Sequence, residues 1–121
     1  MKNKNIIHAL SCSVAGLKVL LHEKAAKREI LLLIFSIFYI LVVKPENIFI
    51  LLLLILPLLI LSMEALNTAI EYTCNQITTK KSSKIRKAKD LGSAAIFLSF
   101  FNYLWFCIFF KSVSNVFLKT Q

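Results

Sequence analysis

Long apolar runs separated by polar segments dominate the pattern of this chain. They cover residues 30–43, 48–63 and 91–110, and the last is about 30 Å long as a helix, enough to cross the hydrocarbon core of a bilayer. The first run is only about 21 Å long, but Ala25 and Ala26 lengthen it, and the basic residues around them can reach the headgroups. The predicted transmembrane spans are residues 26–43, 48–70 and 91–110.

A different periodicity precedes the first run. Residues 4–22 place apolar side chains such as Ile7, Leu10 and Val14 at helical spacing, with polar residues opposite. This predicts an amphipathic helix on the membrane surface, although packing against the rest of the protein fits the same pattern. A tight turn is predicted at 44–47, where a proline stops the first span. A second proline should kink the second span unless neighbouring groups take up the freed carbonyl.

Composition and charge restrict the class of protein. Hydrophobic residues make up 58% of the 121 residues, whereas soluble domains have about 45–50%. The net charge is +9, and all but three of the Lys and Arg residues lie in 1–28 and 80–89. The positive-inside rule makes both segments cytoplasmic, with the C-terminus outside. Anionic headgroups explain this charge more simply than nucleic acid does, so no nucleic-acid partner is expected.

The remaining composition indicates a single all-α membrane domain, residues 1–121. The cysteines are odd in number and lack a CxxC pair, which is typical of reduced thiols. With only two glycines, the chain has neither a P-loop nor a kinase Gly-rich loop. A nucleotide site would therefore have to be built from side chains.

The stretch Glu64-Ala-Leu-Asn-Thr-Ala-Ile-Glu71 places polar groups at the end of the second span. Glu64, Asn67 and Glu71 share one helix face within roughly 60° of arc. An ionised carboxylate at the bilayer centre costs about 2.5–3.5 kcal/mol, so such groups usually face protein or water and serve a function. A packing cluster would explain Asn67, but it explains two acids poorly.

Helical rise allows the depths of these groups to be compared. Glu64 lies about 25 Å from the turn before the second span, and Glu71 about 36 Å from it. Counting back along the first span places Glu23 about 31 Å from the same turn. Lys89 and Asp90, just before the third span, belong at the same level. Separate spans should therefore bring acids and lysines together at the cytoplasmic side.

That arrangement suits phosphoryl transfer to a lipid. Glu23 and Glu71 are candidates to share a Mg²⁺ ion, which prefers oxygen ligands and nucleotide phosphates. Lys89, with Lys80, Lys81 or Arg86, would neutralise a triphosphate, since catalysis here is mainly positioning and charge stabilisation. Glu64 lies deeper, where it would accept the proton of a lipid hydroxyl.

Two functions of a different class are alternatives to lipid phosphorylation. The chain could be a small non-enzymatic membrane subunit, or a transporter whose Glu64 binds a cation. A transporter would place acids near the midplane of the membrane. Here the acids cluster at one face, which disfavours transport.

The sequence resembles the bacterial membrane-integral diacylglycerol kinase family. The resemblance is carried by Glu64–Glu71 and by Arg86-Lys-Ala-Lys-Asp-Leu-Gly-Ser-Ala-Ala95, with a looser match at Glu23-Lys-Ala-Ala-Lys-Arg-Glu29. Members transfer the γ-phosphoryl group of ATP to a membrane alcohol. They form homotrimers of three-span protomers in the bacterial inner membrane, with active sites between protomers on the cytoplasmic side.

The resemblance implies roles for individual residues. Glu64 is the catalytic base, and Glu23 and Glu71 bind the metal, Mg²⁺. Asn67 and Ser93 lie beside the lipid hydroxyl, although small residues such as Ser93 often only pack spans together. Further implied residues are Lys89, Asp90, Glu23, Glu71, Lys80, Lys81, Ser82 and Cys12 for ATP, and Ala9 and Lys18 for the lipid. Without such roles, Lys89 would be an ordinary interfacial lysine and Asp90 the N-cap of the third span.

The chain also departs from the family pattern. Asn75 stands where members commonly carry an acid, Cys12 replaces a usual aromatic residue, and Pro57 is unusual in the second span. The form Lys-Asp-Leu-Gly-Ser-Ala-Ala at 89–95 resembles the diacylglycerol kinases of Gram-negative bacteria. Diacylglycerol is therefore the expected substrate, and undecaprenol is the alternative.

Overall fold

The computed structural model describes residues 6–77 and 82–119, and these residues form helices without any strand. The helices are α1 (Ile6–His22), α2 (Lys24–Val43), α3 (Asn47–Ile77) and α4 (Ser83–Lys119). α3 lies between α2 and α4 and packs against both, whereas α1 touches the bundle mainly near the start of α2. The predicted all-α fold is confirmed for these residues.

The buried positions of α2 and α3 form one stripe on each helix. On α2 the stripe contains Ala26, Glu29 and Ser36, which follow each other at intervals of three and seven residues, close to whole helical turns. The stripe of α3 is longer and mixes apolar and polar side chains. Its members are Leu53, Pro57, Ile60, Glu64, Asn67 and Cys74.

The turn between α2 and α3 matches the prediction. Lys44 adopts the left-handed conformation with φ of 49°, and its backbone N–H donates to the Ile40 carbonyl at 2.9 Å, which caps α2. Pro45 follows and cannot continue the helix. The carbonyl of Glu46 then accepts the first hydrogen bonds of α3, which begins at Asn47.

A second break separates α1 from α2 at Glu23. This residue is extended (φ −71°, ψ 136°), and its N–H donates to the Leu20 carbonyl at 3.0 Å. Leu20 is the buried residue of α1, while Ile7 on the predicted apolar stripe is 79% exposed. The apolar face of α1 is thus free to enter a membrane surface, and its placement there stays a prediction.

α4 differs from the prediction at its start. The helix begins at Ser83, so most of the segment 78–89 that was expected to be a polar connection is helical. Asp90 lies two turns inside α4, and the alternative that it caps the third span is wrong. The start was missed because polar residues leave little hydrophobic periodicity. α4 also runs beyond the predicted span, to Lys119.

Two of the helices, α3 and α4, are long and apolar enough to cross a membrane. α2 has 20 residues, about 30 Å of helix, but carries Lys27, Arg28 and Glu29 near its start. Its crossing of the membrane, and hence the total of three spans, stays a prediction. Pro57 is fully buried, and α3 continues through it without interruption.

Aromatic rings join the helices at the end of the bundle that contains the α2–α3 turn. The Phe49 ring lies 4.4 Å from that of Phe110 and 6.3 Å from that of Phe106, measured between centroids, and Tyr39 meets Phe110 edge-on at 6.1 Å. We call this cluster of four rings the aromatic end. Trp105 and Phe109, which lie near this end of α4, are exposed.

Candidate functional site

A cavity of about 540 Å³ opens between α2, α3 and α4 at the other end of the bundle. It is polar on one side, where the acids of α2 and α3 face each other, and apolar on the side nearer the middle of the helices. We call this region, with Glu23, Glu29, Glu64 and Glu71, the acidic end. The lining residues are Ala25, Arg28, Glu29, Leu32, Glu64, Asn67, Ser93, Ile96 and Phe100.

Three polar side chains are buried in the wall of this cavity. Glu29 is 3% exposed, Glu64 6% and Asn67 7%. Within the described residues, Glu29 Oε2 and Asn67 Oδ1 are buried without a hydrogen-bond partner. An orphaned buried acceptor costs about 1–3 kcal/mol. Both acceptors therefore favour a ligand that brings hydroxyl or N–H donors into the cavity.

Gly92 sets the position of Asn67. A Cβ atom at Gly92 would collide with Asn67 Oδ1, so only glycine leaves space for the carboxamide at this crossing of α3 and α4. Gly92 is buried, whereas the adjacent Ser93 is exposed and reaches the cavity from its rim. The predicted juxtaposition of Glu64, Asn67 and Ser93 is present.

A hydrogen bond ties the break at Glu23 to the end of α3. The Tyr72 hydroxyl donates to Glu23 Oε1 at 2.6 Å, and Tyr72 follows Glu71 directly in the chain. Glu64 interacts electrostatically with Glu23, Glu71 and Glu29, and the Arg28 guanidinium partly offsets these negative charges. Helical rise predicts that Glu23, Glu64 and Glu71 lie near the same end of the bundle, and in the structure they are close enough to interact.

Lys89 reaches the same corner from α4. Its Nζ donates to Asn75 Oδ1 at 2.6 Å, and Asn75 lies one turn beyond Glu71 on α3. Asp90 points outward and pairs with Arg86 at 3.8 Å, with both side chains mostly exposed. Lys89 and Asp90 are therefore at the expected level. Within the described residues, Lys89 forms a hydrogen bond to α3, whereas Asp90 pairs within α4.

The other residues implied for substrate binding lie apart from the cavity or outside the described ranges. Ala9, Cys12 and Lys18 are exposed on α1 and do not line the cavity; the Cys12 thiol lies 3.6 Å from His8 Nδ1. The Ser82 carbonyl accepts the N–H of Arg86 at the start of α4. Lys80 and Lys81, which the family resemblance implies for ATP, lie outside the described residues.

The acidic end can be tested for its fit to a divalent cation. Among the described residues, no three His, Cys, Asp or Glu side chains are close enough together to hold a metal ion. Mg²⁺, however, is usually bound by one or two carboxylates together with substrate phosphates. Glu23, held by Tyr72, and the exposed Glu71 beside it fit that second arrangement.

Sequence reasoning missed Glu29 as a site residue. It lies within the charged segment 23–29, yet it is the most buried acid of the described residues. The signal was present in its spacing, because Glu29 and Ser36 are seven residues apart and so share the face of α2 that meets α3.

Chemically, the arrangement places a deep carboxylate beneath a set of surface charges. Glu64 lies within the cavity, while Glu71 lies about two helical turns further along α3 and the Lys89 ammonium group bonds Asn75, one turn beyond Glu71. The apolar wall of Leu32, Ile96 and Phe100 suits a hydrocarbon chain. An amphipathic alcohol would place its hydroxyl beside Glu64 and face a charged reactant at the surface.

Comparison with known proteins identifies the family. No curated protein matches the chain at a significant level. The family model for prokaryotic diacylglycerol kinase matches residues 11–110, which include both motifs, the cavity and all four rings of the aromatic end. This family consists of membrane-integral lipid kinases, in agreement with the apolar helices of the structure. The chain therefore belongs to the prokaryotic diacylglycerol kinase family.

Proposed function

We propose that this protein is an ATP-dependent lipid kinase that phosphorylates the hydroxyl of diacylglycerol. The product is phosphatidic acid, made at the cytoplasmic face of the bacterial inner membrane. Family membership supports the lipid-kinase class. The choice of diacylglycerol rests on the Lys-Asp-Leu-Gly-Ser-Ala-Ala segment at 89–95.

The cavity at the acidic end carries this proposal. It combines a buried carboxylate, Glu64, with the unpartnered acceptors of Glu29 and Asn67, and it is apolar on its deeper side. A diacylglycerol molecule has a hydroxyl group to donate and acyl chains to bury. Its single hydroxyl would donate to one of the buried acceptors of the cavity, and the rest of its head would fill the polar side.

In the proposed reaction, the lipid hydroxyl oxygen attacks the γ-phosphorus of ATP. A new O–P bond forms as the bond between the γ-phosphorus and the β,γ-bridging oxygen breaks, and ADP leaves. Glu64 accepts the hydroxyl proton, which is the role of a general base. Asn67 and Glu29 line the space beside the hydroxyl, and the apolar wall of Leu32, Ile96 and Phe100 holds the acyl chains, so that the hydroxyl is oriented toward the phosphate.

Charged residues at the surface would hold the nucleotide. Glu23 and Glu71 would bind Mg²⁺, which would neutralise phosphate charge. Lys89 contributes a positive charge on the α4 side, and Lys80, Lys81 and Ser82 precede or begin that helix in the sequence. Cys12, Ala9 and Lys18 on α1 and Asp90 on α4 keep their proposed substrate contacts from the family resemblance alone.

The proposal includes orientation and assembly. The basic segments 1–28 and 80–89 favour a cytoplasmic N-terminus and acidic end, and a periplasmic C-terminus. α2 then forms the first of three spans. A homotrimer is proposed from the family resemblance, and chemical cross-linking of the protein in membranes, read as a ladder that ends at three subunits, would test it.

A parallel substrate assay tests the function. The purified protein is reconstituted into vesicles that contain either diacylglycerol or undecaprenol, and radiolabelled ATP is added with Mg²⁺ or with a chelator. We expect the label in phosphatidic acid, in the presence of Mg²⁺ only. A label confined to undecaprenyl phosphate would overturn the substrate, and no label in either lipid would overturn the kinase activity.

A further inference from the structure

We propose that Asn75 is a positioning residue that holds the ammonium group of Lys89 over the nucleotide site while leaving its charge uncompensated. This inference rests on the proposed function, because it names how the same site keeps a phosphate-binding lysine in place. Members of the family commonly carry an acid at this position, whereas the side chain is neutral in this chain. The role proposed here therefore belongs to the carboxamide of Asn75.

The geometry starts from one contact between α3 and α4. Lys89 Nζ donates to Asn75 Oδ1 at 2.6 Å, a short hydrogen bond for a charged donor. Asn75 lies four residues after Glu71, so the two side chains are neighbours on the surface of α3. The bond therefore fixes the lysine beside the carboxylate proposed to bind the metal.

The neutral acceptor matters because of what a lysine side chain offers. Its ammonium group has three donors and no acceptor, and Asn75 occupies one of them. The flexible four-carbon stem would otherwise spread the charge over many rotamers, and fixing it in advance reduces the entropy lost on binding an anion. Two donors and the full positive charge are left for phosphate oxygens.

Among the ion pairs of the described residues, none joins Lys89 to an acid, Glu71 included. Asp90, next to Lys89 in the chain, turns away from α3 and pairs with Arg86. Glu23 accepts the hydroxyl of Tyr72. A carboxylate at position 75 would keep the lysine in place but form an ion pair with it, lowering the local attraction for a polyphosphate.

A binding experiment separates position from charge. The variants are Asn75→Ala, which removes the acceptor, Asn75→Asp, which keeps an acceptor but adds a negative charge, and Asn75→Gln, which keeps a longer carboxamide. Gln76→Ala, the exposed carboxamide next along α3, is the matched control. The readout is the Kd of a non-hydrolysable ATP analogue with Mg²⁺, measured on the detergent-solubilised full chain without lipid substrate.

We expect Asn75→Ala to raise the Kd about 3- to 10-fold, less than the loss of a direct hydrogen bond between a charged group and the nucleotide, because Lys89 itself stays. Asn75→Asp should raise it about 2- to 5-fold at low salt, with the effect shrinking at high salt because screening weakens the added charge. Asn75→Gln should retain most of the affinity, and Gln76→Ala all of it.

The same substitutions in a Lys89→Met background show whether Asn75 acts through Lys89. There we expect Asn75→Ala and Asn75→Asp to change the Kd little, since no ammonium group is left to hold. Equal effects in both backgrounds would overturn the inference, because Asn75 would then act only on helix packing. Equal Kd values for the wild type and Asn75→Ala would also overturn the inference and leave the proposed kinase intact. Wild-type protein that binds no analogue would overturn both.

Discussion

The two ends of the bundle join the same helices with different groups. At the aromatic end, Phe49 of α3 packs between the rings of Phe106 and Phe110 of α4. At the acidic end, the positions that face the neighbouring helices hold Glu29, Glu64 and Asn67, and a cavity remains between them. One end is filled by apolar contact, and the other is left open and polar.

This difference shows where stability and function are separated along the helices. Ring pairs add about 0.5–1.5 kcal/mol each beyond the area they bury. Buried carboxylates and unpartnered acceptors lower the stability of a fold unless a ligand satisfies them. The aromatic end therefore stabilises the bundle, whereas the buried polar groups of the acidic end lower that stability.

The largest effect is expected from removal of the deep carboxylate. Glu64→Gln keeps the shape of the side chain but removes the proposed base, so lipid phosphorylation should fall about 10²- to 10⁴-fold. The measurement is transfer of radiolabel to lipid in vesicles. Glu46→Gln, which neutralises the exposed acid at the opposite end, is the control and should keep full activity. Comparable activity in both variants would remove Glu64 from the base role.

Glu29→Gln should have the next largest effect, and it should move activity and stability in opposite directions. Glu29 lines the cavity together with Glu64, so replacing its carboxylate alters the site that receives the lipid head and should raise the KM for lipid about tenfold or more. A carboxamide is cheaper to bury than a carboxylate, so thermal stability in detergent should hold or rise. An unchanged lipid KM would show that Glu29 only packs against α3.

The reverse outcome is expected at the aromatic end. Phe49→Ala removes the ring between Phe106 and Phe110, and should lower the free energy of unfolding by about 1–3 kcal/mol. Circular dichroism during thermal unfolding in detergent would measure it, with exposed Phe109→Ala as the control. The kcat per folded molecule should not change. A fall in kcat without a loss of stability would contradict the division between the two ends.

The smallest effect tests a polar pair that lies between the two ends. Buried Ser36 donates to the Leu32 carbonyl at 3.1 Å, so the Tyr103 hydroxyl at 2.8 Å is placed to donate to Ser36 Oγ, linking α2 to α4. Tyr103→Phe should cost about 0.6 kcal/mol, a usual value for such bonds between membrane helices.

Tyr39→Phe, which removes a hydroxyl at the aromatic end, is the comparison for this variant. We expect a smaller loss of thermal stability from it than from Tyr103→Phe. Equal losses would show that the Ser36–Tyr103 bond adds nothing beyond an ordinary hydroxyl.

The features that the sequence predicted well are those with strong local signals. Pro45 and the charges around it placed the end of α2 and the start of α3 within a residue or two. Fixed helical rise was enough to bring Glu23, Glu71 and Lys89 to one level, because helices are stiff and regular. The roles of these residues stay predictions.

What the sequence did not reveal depends on which faces meet in three dimensions. Glu29 looked like one charge in an interfacial collar, and only the packing of α2 on α3 shows that it is buried. The hydrogen bonds from Tyr72 to Glu23 and from Lys89 to Asn75 join residues 49 and 14 positions apart, a separation without periodic signal.

Gly92 limits how this protein can change. The missing side chain there is the space that the Asn67 carboxamide occupies, so even one added methyl group would push α3 and α4 apart or displace the amide. Most positions in a helical bundle are damaged by losing atoms, whereas this one is damaged by gaining them. Alanine at position 92 should therefore displace the Asn67 amide from its present rotamer, and larger replacements should cost progressively more activity.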